Sequence, residues 1–377
     1  MLKAAVIVGT RPEAIKMAPI LLEMKRHRGI RPVLVLTAQH REMCDDVLKV
    51  FSLKPDYDLD LMRPNQSLFQ VTSSLVRDLE GVLAKERPDI VLVQGDTTST
   101  FVGSLCAYYL RVPVGHVEAG LRTYCKYSPF PEEINRRLTS VIADLHFAPT
   151  ETAAAALRKE GVSPKQIFVV GNPVIDALVR VASQEYDFED RALRRADFRG
   201  KRIVAVTAHR RESWGRPFEN MMRALKQIAR EHEDVAVVFP VHPNPNVRKP
   251  VGRILKGAER VVLTDPLNYR DFVKLLKSSY LIITDSGGIQ EEAPSLKKPV
   301  LLMREVTERP EAVAAGAVKI VGTDFRRIVR SASELLDSKR VYRSMIARRN
   351  PYGDGKTSGR IVKIILTRLP RRGSLCE

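Results

Sequence analysis

The sequence predicts an α/β protein built from two doubly wound domains, each with a parallel sheet covered by helices on both faces. Three observations predict it. The chain has 377 residues, which at about 150 residues per domain means about two compact units. Short β-branched runs alternate with helical stretches from end to end, and continuous apolar strands between helices belong to buried parallel sheets. The composition is 44% hydrophobic with 6% aromatic residues, which excludes a mainly disordered chain.

The strands fall in order. In the first half they occupy 5–8, 32–36, 90–93, 112–117, 145–148 and 167–170, and in the second 203–206, 235–239, 261–263, 281–283, 300–302 and 318–321. Met1 to Val8 has one cation and then a short apolar run, but it enters Gly9-Thr10-Arg11-Pro12, so it reads as a first strand and not as a signal peptide. The spacing gives an N-terminal domain over 1–175 carrying acid and base carboxylates, and a linker helix over 176–200 that includes the charged run 184–191. A C-terminal domain follows over 201–350, then a C-terminal helix and basic tail over 351–377. The longest apolar runs, such as 281–283 and 300–303, fall far short of the ~18 residues that span a bilayer. Cys44, Cys106, Cys125 and Cys376 form no C-x-x-C pair, so neither zinc nor a disulfide framework is expected, and a reducing cytoplasm fits.

Lysine and arginine number 62 against 44 acidic residues, a formal charge of +18. Half of that excess lies in 321–377, where 14 cations face 5 acidic residues. A nucleic-acid tail is the sharp reading of Arg326-Arg327, Arg348-Arg349 and Arg371-Arg372, but no aromatic residues are interleaved to stack on bases, which favours a solvated helical face. General basicity also suits an anionic small substrate.

In open parallel sheets the ligand sits beyond the carboxyl ends of the strands, so the residues just after each strand carry most information. After the first strand, Thr10 and Glu13 have capping-box spacing and Pro12 suits a first helical turn. Arg11 and Lys16 are cations placed against the helix dipole, which suggests an anion held nearby. The third strand ends in Gln94-Gly95-Asp96, where Asp96 could simply cap the next helix. The fourth ends in His116-Val117-Glu118, and a carboxylate there is costly to bury without a partner, so function outweighs packing for Glu118. Glu132 and Glu133 open a further helix and are ordinary dipole complements taken alone. Three acidic positions at one sheet edge nevertheless supply what a proton abstraction and return requires.

In the second half, His209 with Arg210 and Arg211 follows the first strand and could sit on a phosphate. Asp285-Ser286-Gly287-Gly288 follows the fourth, where two glycines let backbone approach a ligand and Ser286 opens an anion cradle. Neither G-K-[ST] nor G-x-G-x-x-G is present, so this is not a nucleoside-triphosphate P-loop or a dinucleotide fingerprint. Glu292, one turn into the helix, can accept ribose hydroxyls, and the pattern suggests a nucleoside diphosphate.

Together Gly9-Thr10-Arg11-Pro12-Glu13, Gln94-Gly95-Asp96-Thr97, His116-Val117-Glu118-Ala119-Gly120, Pro131-Glu132-Glu133, Gly171-Asn172-Pro173-Val174-Ile175-Asp176, His209-Arg210-Arg211-Glu212, Asp285-Ser286-Gly287-Gly288 and Asn350-Pro351-Tyr352-Gly353-Asp354-Gly355 resemble the non-hydrolysing UDP-N-acetylglucosamine 2-epimerases. The resemblance implies two Rossmann-like domains facing each other across a cleft, the glycosyltransferase B arrangement, with UDP bound mainly by the C-terminal one. It implies Asp96, Glu118 and Glu132 as acid and base and His209 as a diphosphate ligand that helps UDP leave. Ser286, Gly287 and Gly288 become the phosphate cradle, Glu292 the ribose acceptor, Phe272 part of the uracil pocket, and Arg11, Lys16, Arg136 and Arg309 anion contacts. Gln39, His40, Arg211 and His242 match a neighbouring site for a second substrate molecule that acts as activator. The partners so implied are the UDP-sugar, that activator and a second copy of the chain, with no nucleic acid, membrane span, cofactor or metal. Two segments depart from the family pattern: Tyr124-Cys125-Lys126 stands where a glycine and a polar residue are usual, and 304–310 varies the usual R-D-T-T-E-R-P.

The implied activity is reversible C2 epimerisation through loss and return of UDP. Three rivals remain. An epimerase of a modified UDP-sugar shares every motif, a glycosyltransferase of the same fold would not need three carboxylates in the N-terminal half, and an RNA-binding or nucleotide-sugar-sensing protein would show no turnover and a steep salt dependence.

Overall fold

The protein is described from a computed structural model covering residues 1–37, 41–61, 66–346 and 349–369. The chain forms two compact units, one of Met1–Ala177 with the C-terminal stretch from Tyr352, the other of Leu178–Pro351. Each is α/β with one parallel sheet, as the apolar strand pattern requires.

The first unit contains β1 (Leu2–Val8), β2 (Ile30–Leu36), β3 (Tyr57–Asp58), β4 (Ile90–Gln94), β5 (Val114–Val117), β6 (Leu145–Ala148) and β7 (Ile167–Val169). They lie in the order β3-β2-β1-β4-β5-β6-β7. Every strand read from the sequence in this half is present. The edge strand β3 was not expected: it pairs Tyr57 with Val35 and Asp58 with Leu36, and two residues are too few to show a strand period. The second unit contains β8 (Arg202–Thr207), β9 (Val235–Pro240), β10 (Val261–Thr264), β11 (Ser279–Thr284), β12 (Val300–Leu302) and β13 (Val318–Ile320), in the order β10-β9-β8-β11-β12-β13.

Both sheets grow outward from their first strand and then reverse. The reversal falls between β1 and β4 in one unit and between β8 and β11 in the other. Loops leaving neighbouring strands there diverge to opposite faces and leave a crevice at the carboxyl ends, which is where such sheets bind ligands.

Packing fixes those strand ends. Ala5 and Ile7 of β1 and Val91 and Val93 of β4 are buried against Leu75, Leu79 and Val102 from the covering helices. In the second unit Val204, Val237, Leu281 and Ile283 pack on Phe218, Leu225 and Ile328. Each of the larger side chains, the valines, leucines, isoleucines and phenylalanine, contributes about 1.5–3 kcal/mol. The helix Arg11–Arg26 buries Ala14, Met17, Ala18, Leu21 and Met24, the spacing of one helical face, and ends at His27 with Lys25 and Arg26 in its last turn. The final helix Thr357–Arg368 packs on that same helix, so the end of the chain rejoins the first unit. The stretch expected as one linker helix, 176–200, instead holds the end of the helix Pro173–Ala182, an irregular charged segment, and the short helix Arg191–Arg195 capped by Asp190. Buried Asp271 accepts the backbone N–H groups of Glu189 and Asp190, which holds that segment extended. Among the described residues no helix is long and apolar enough to cross a membrane.

Candidate active site

In the first unit the turn after β1 is built around Glu13, which is 2% exposed. Its carboxylate accepts the N–H groups of Gly9 and Thr10 at 3.0 and 2.6 Å and the hydroxyls of Thr97 and Thr100 at 2.7 and 3.1 Å. One side chain thereby ties the β1 turn to the helix that follows β4. Gly9 is required at that turn, since a Cβ there would stand 2.5 Å from Ser99 Oγ.

One helical turn beyond Arg11, Lys16 donates to Glu118 Oε2 at 2.5 Å. Glu118 is 5% exposed. It also receives Gln94 Nε2 on Oε2 and Asn172 Nδ2 on Oε1, the latter at 2.8 Å. Its backbone has φ +63°, the left-handed region that costs a non-glycine residue of order 1–3 kcal/mol and clusters at functional sites. Gly120, at φ +93°, completes this turn where a Cβ would lie 2.2 Å from the Ala153 carbonyl oxygen. The lysine placed against the helix dipole thus answers a buried carboxylate.

Asp96 stands after β4, beside β5. It does not cap the next helix: Thr97 does, accepting Thr100 N–H at 3.1 Å. Arg136 Nη2 donates to Asp96 Oδ2 at 2.5 Å and Asn135 Nδ2 donates to its backbone carbonyl at 3.0 Å. Burial holds the Asp96 carboxyl above the usual carboxylate range, the charges of Glu118 and Glu132 add to this, and Arg136 and Lys16 oppose it. Arg136 is therefore engaged with Asp96. Glu132 opens the helix Glu132–Ile142 with Oε2 buried and without a hydrogen-bond partner among the described residues. Its neighbour Glu133 is structural. Fully buried, it accepts the N–H groups of Thr123 and Tyr124 at 3.0 Å each and fixes the loop. Tyr124 sits there at φ +57°, a left-handed conformation that a glycine adopts freely.

The second unit places its residues at its own sheet reversal. Fully buried Asp285 accepts His209 N–H at 2.7 Å and Arg210 N–H at 2.8 Å, while His209 Nδ1 lies 3.5 Å from Asp285 Oδ1. The His209 and His242 rings stack at 5.4 Å with an 11° tilt. Burial, then the charge of His209, lowers the His242 pKa, and Asp285 opposes this. Ser286 N–H is engaged by Thr284 Oγ1 at 2.9 Å. A Cβ on Gly287 would stand 3.8 Å from Arg210 Nη2, and one on Gly288 would stand 3.6 Å from Glu292 Oε1 and 3.9 Å from Ser286 Oγ. The glycine pair therefore faces a cation, a hydroxyl and a carboxylate, a set matched to phosphate and ribose.

Phe272 is half-buried on the helix Tyr269–Ser278. Arg309 donates to the Glu291 carboxylate and to the Glu308 carbonyl oxygen. Arg211 lies over the Trp214 ring at 6.0 Å. Gln39 and His40 lie outside the described residues. The sequence reading gave no role to Gln94, Asn172 or Arg304. Arg304 forks onto Glu308 at 2.7 and 3.0 Å and reaches Glu212 at 2.8 Å, which holds Glu308 down to about 2 and shapes the loop before Arg309. Arg210 was singled out only as a neighbour of His209, and the tandem spacing could not tell which arginine faces the glycines. Among the described residues no group of three or more His, Cys, Asp or Glu is placed to hold a metal ion.

Residues 22–366 match the protein family described as UDP-N-acetylglucosamine 2-epimerase. The UDP-N-acetylglucosamine 2-epimerase of Escherichia coli K12 is 51% identical over 369 residues, covering 97% of this chain and 98% of its own. A crystal structure of UDP-GlcNAc 2-epimerase from Neisseria meningitidis bound to UDP-GlcNAc superposes with a TM-score of 0.88 at 45% identity, over 97% of this chain and 100% of that one. The S. aureus MnaA–UDP co-structure gives 0.88 at 49% identity, over 98% and 97%.

Proposed function

The chain belongs to the UDP-N-acetylglucosamine 2-epimerase family, a family of isomerases, and from that premise we propose that it interconverts UDP-N-acetylglucosamine and UDP-N-acetylmannosamine by expelling UDP to a glycal and adding it back. The observation that carries this reading is the meeting of Asp96, Glu118 and Lys16 where the first sheet reverses.

The C2 proton of such a sugar is not acidified by a carbonyl, so UDP departs first. Cleavage of the C1–O bond builds positive charge at C1, a carboxylate takes the C2 proton, and the C1–C2 double bond of the glycal forms. A proton returned to the other face of C2 and re-addition of UDP at C1 give the second epimer. Two faces call for two groups in different states. Glu118, which accepts from Lys16, Gln94 and Asn172, suits the base, and Asp96, whose carboxyl burial keeps closer to its protonated form, suits the acid. Glu132, with a buried oxygen awaiting a partner, serves as a second acid or base. His209, Arg210 and the Ser286 to Gly288 turn hold the departed UDP, with Glu292 on its ribose and Phe272 on its base. Preorganised donors aimed at the leaving diphosphate lower the barrier to C1–O cleavage. Arg309 adds positive charge for the same anion. A second UDP-N-acetylglucosamine acting as activator through Gln39, His40, Arg211 and His242, and assembly as a homodimer, belong to the same reading.

Proton NMR of the purified protein with UDP-N-acetylglucosamine tests it. A second anomeric signal, that of the 2-epimer, is expected without added metal or nicotinamide. Unchanged substrate, or release of a free amino sugar as the sole product, contradicts it.

A further inference from the structure

Two motifs remain without a part in that chemistry, Gly171 to Asp176 and Asn350 to Gly355. The first of them meets the Tyr352 to Gly355 part of the second within the first unit. After β7, Gly171 at φ +96° turns the chain so closely that a Cβ would stand 2.8 Å from Thr357 Oγ1 and 3.1 Å from the Tyr352 carbonyl oxygen. Asn172, fully buried, donates its N–H to that Tyr352 carbonyl at 2.6 Å. One turn later Asp176 accepts the N–H groups of Thr357 and Ser358 at 3.2 and 2.7 Å and caps the final helix. The returning C-terminal segment is thus pinned to the β7 turn from two sides.

The Asn172 side chain is oriented by the same arrangement. Its Oδ1 accepts Val174 N–H at 3.2 Å, the bond of a helix N-cap, so the amide NH₂ has to face the other way. What it faces is Glu118 Oε1, at 2.8 Å. The flipped amide would set a carbonyl oxygen against a carboxylate. Lys16, Gln94 and Asn172 hold the Glu118 carboxylate from three separate elements, on a left-handed backbone of the kind that clusters at functional sites.

We propose that Asn172 is a positioning residue of the reaction: locked by its capping bond and by Tyr352, its amide aligns the Glu118 carboxylate for proton transfer at C2. This rests on the reading of Glu118 as an acid/base group. It also gives Tyr352, whose carbonyl accepts the Asn172 backbone N–H, the role of fixing the backbone from which that side chain extends.

The test compares Asn172→Asp, Asn172→Ser and Glu118→Gln in the full-length protein, with kcat and KM for UDP-N-acetylglucosamine measured across pH. Serine caps helices as well as asparagine does and adds no charge, so a role in folding alone leaves the turnover and pH profile of Asn172→Ser unchanged. Positioning gives a different result. Asn172→Asp sets a second carboxylate against Glu118, and the pair must share a proton. Among the described residues the charged or titratable groups that act on Glu118 include Lys16 on the first helix, Asp96 after β4 and His116 on β5, and these are the same in every variant. We expect kcat to fall about 10²-fold, KM to stay within about 3-fold, and the acid limb of the kcat profile to move up by more than about one pH unit. Asn172→Ser, which only removes the donor, should lower kcat about 10-fold with a smaller shift of the same sign, and it decides the matter alone if the aspartate variant does not fold. Wild-type kcat and an unshifted acid limb in the folded variants, with Glu118→Gln inactive, overturn the positioning role. A fully active Glu118→Gln removes the assignment of Glu118 and the positioning role with it.

Discussion

Asp96 and Glu118 stand at the ends of adjacent strands, yet their surroundings prepare them differently. Burial pushes the Asp96 carboxyl up, whereas Glu118 is gripped by Lys16, Gln94 and Asn172. Asp96→Asn, Glu118→Gln and Glu132→Gln should each lower turnover by roughly 10² to 10⁴ while UDP still binds, a split that steady-state kinetics and UDP calorimetry resolve. Glu292→Ala should do the reverse, weakening UDP binding more than turnover at saturation. Glu118 stood out in the sequence because a carboxylate at the end of an apolar strand is costly to bury without a partner. Asp96 had a capping explanation and Glu132 a helix-dipole one, and the proposed roles of both rest on the family resemblance. Gln94 and Asn172 did not stand out, since an amide is unremarkable in a sequence and its partner is chosen by strand order. The capping explanation of Asp96 failed for a local reason: Thr97, one residue later, takes the cap.

At the scale of elements, the first turn of the helix Arg11–Arg26 depends on a buried carboxylate whose pKa burial raises, with the hydrogen bonds from Thr97, Thr10, Gly9 and Thr100 pulling the other way. A raised pKa in the folded state means stability present at low pH and lost as pH rises through the folded value. Glu13→Gln can keep all four hydrogen bonds, its carbonyl facing Gly9 and Thr10 and its NH₂ facing the two threonines. It should therefore match or exceed the wild-type Tm at pH 7, whereas Glu13→Ala leaves buried donors unmet and should cost about 1–3 kcal/mol. The opposite sign holds for paired strands β5 and β6, where His116 and His146 lie side by side. Burial pulls them to about 3 and about 4, so both are neutral in the fold. Unfolded imidazoles protonate near 6.5, so stability should be lost as pH falls from there toward 4, by up to about 1.4 kcal/mol per pH unit for each histidine. Thermal melts over that range should show the fall, and His146→Gln should make it shallower. The capping box at Thr10 and Glu13 was readable from spacing. The reach of Glu13 to Thr97 and Thr100 was not, because it depends on β1 and β4 being neighbours across the reversal of the sheet.

For the whole molecule, two parallel sheets with reversals after β1 and β8 account for where the motifs fall. Gly9 to Lys16, Asp96 and Glu118 gather at one reversal, and His209 and Asp285 to Gly288 at the other. The strands were legible because each is a continuous apolar run, and only two-residue β3 fell below that signal. Strand order was not legible, and it is strand order that turns scattered motifs into sites. If a second UDP-N-acetylglucosamine activates the enzyme, the reaction started from UDP-N-acetylmannosamine alone should begin with a lag that a trace of the other epimer abolishes. His242→Ala should alter that lag and, because its ring lies on His209, should also change UDP affinity. Loss of UDP to a glycal, the central step, requires the C2 proton to leave the sugar. The most direct measurement follows the reaction in deuterated water by proton NMR: the mechanism requires deuterium at C2 of the product pool as the epimers interconvert, and interconversion with full retention of the C2 proton would contradict it.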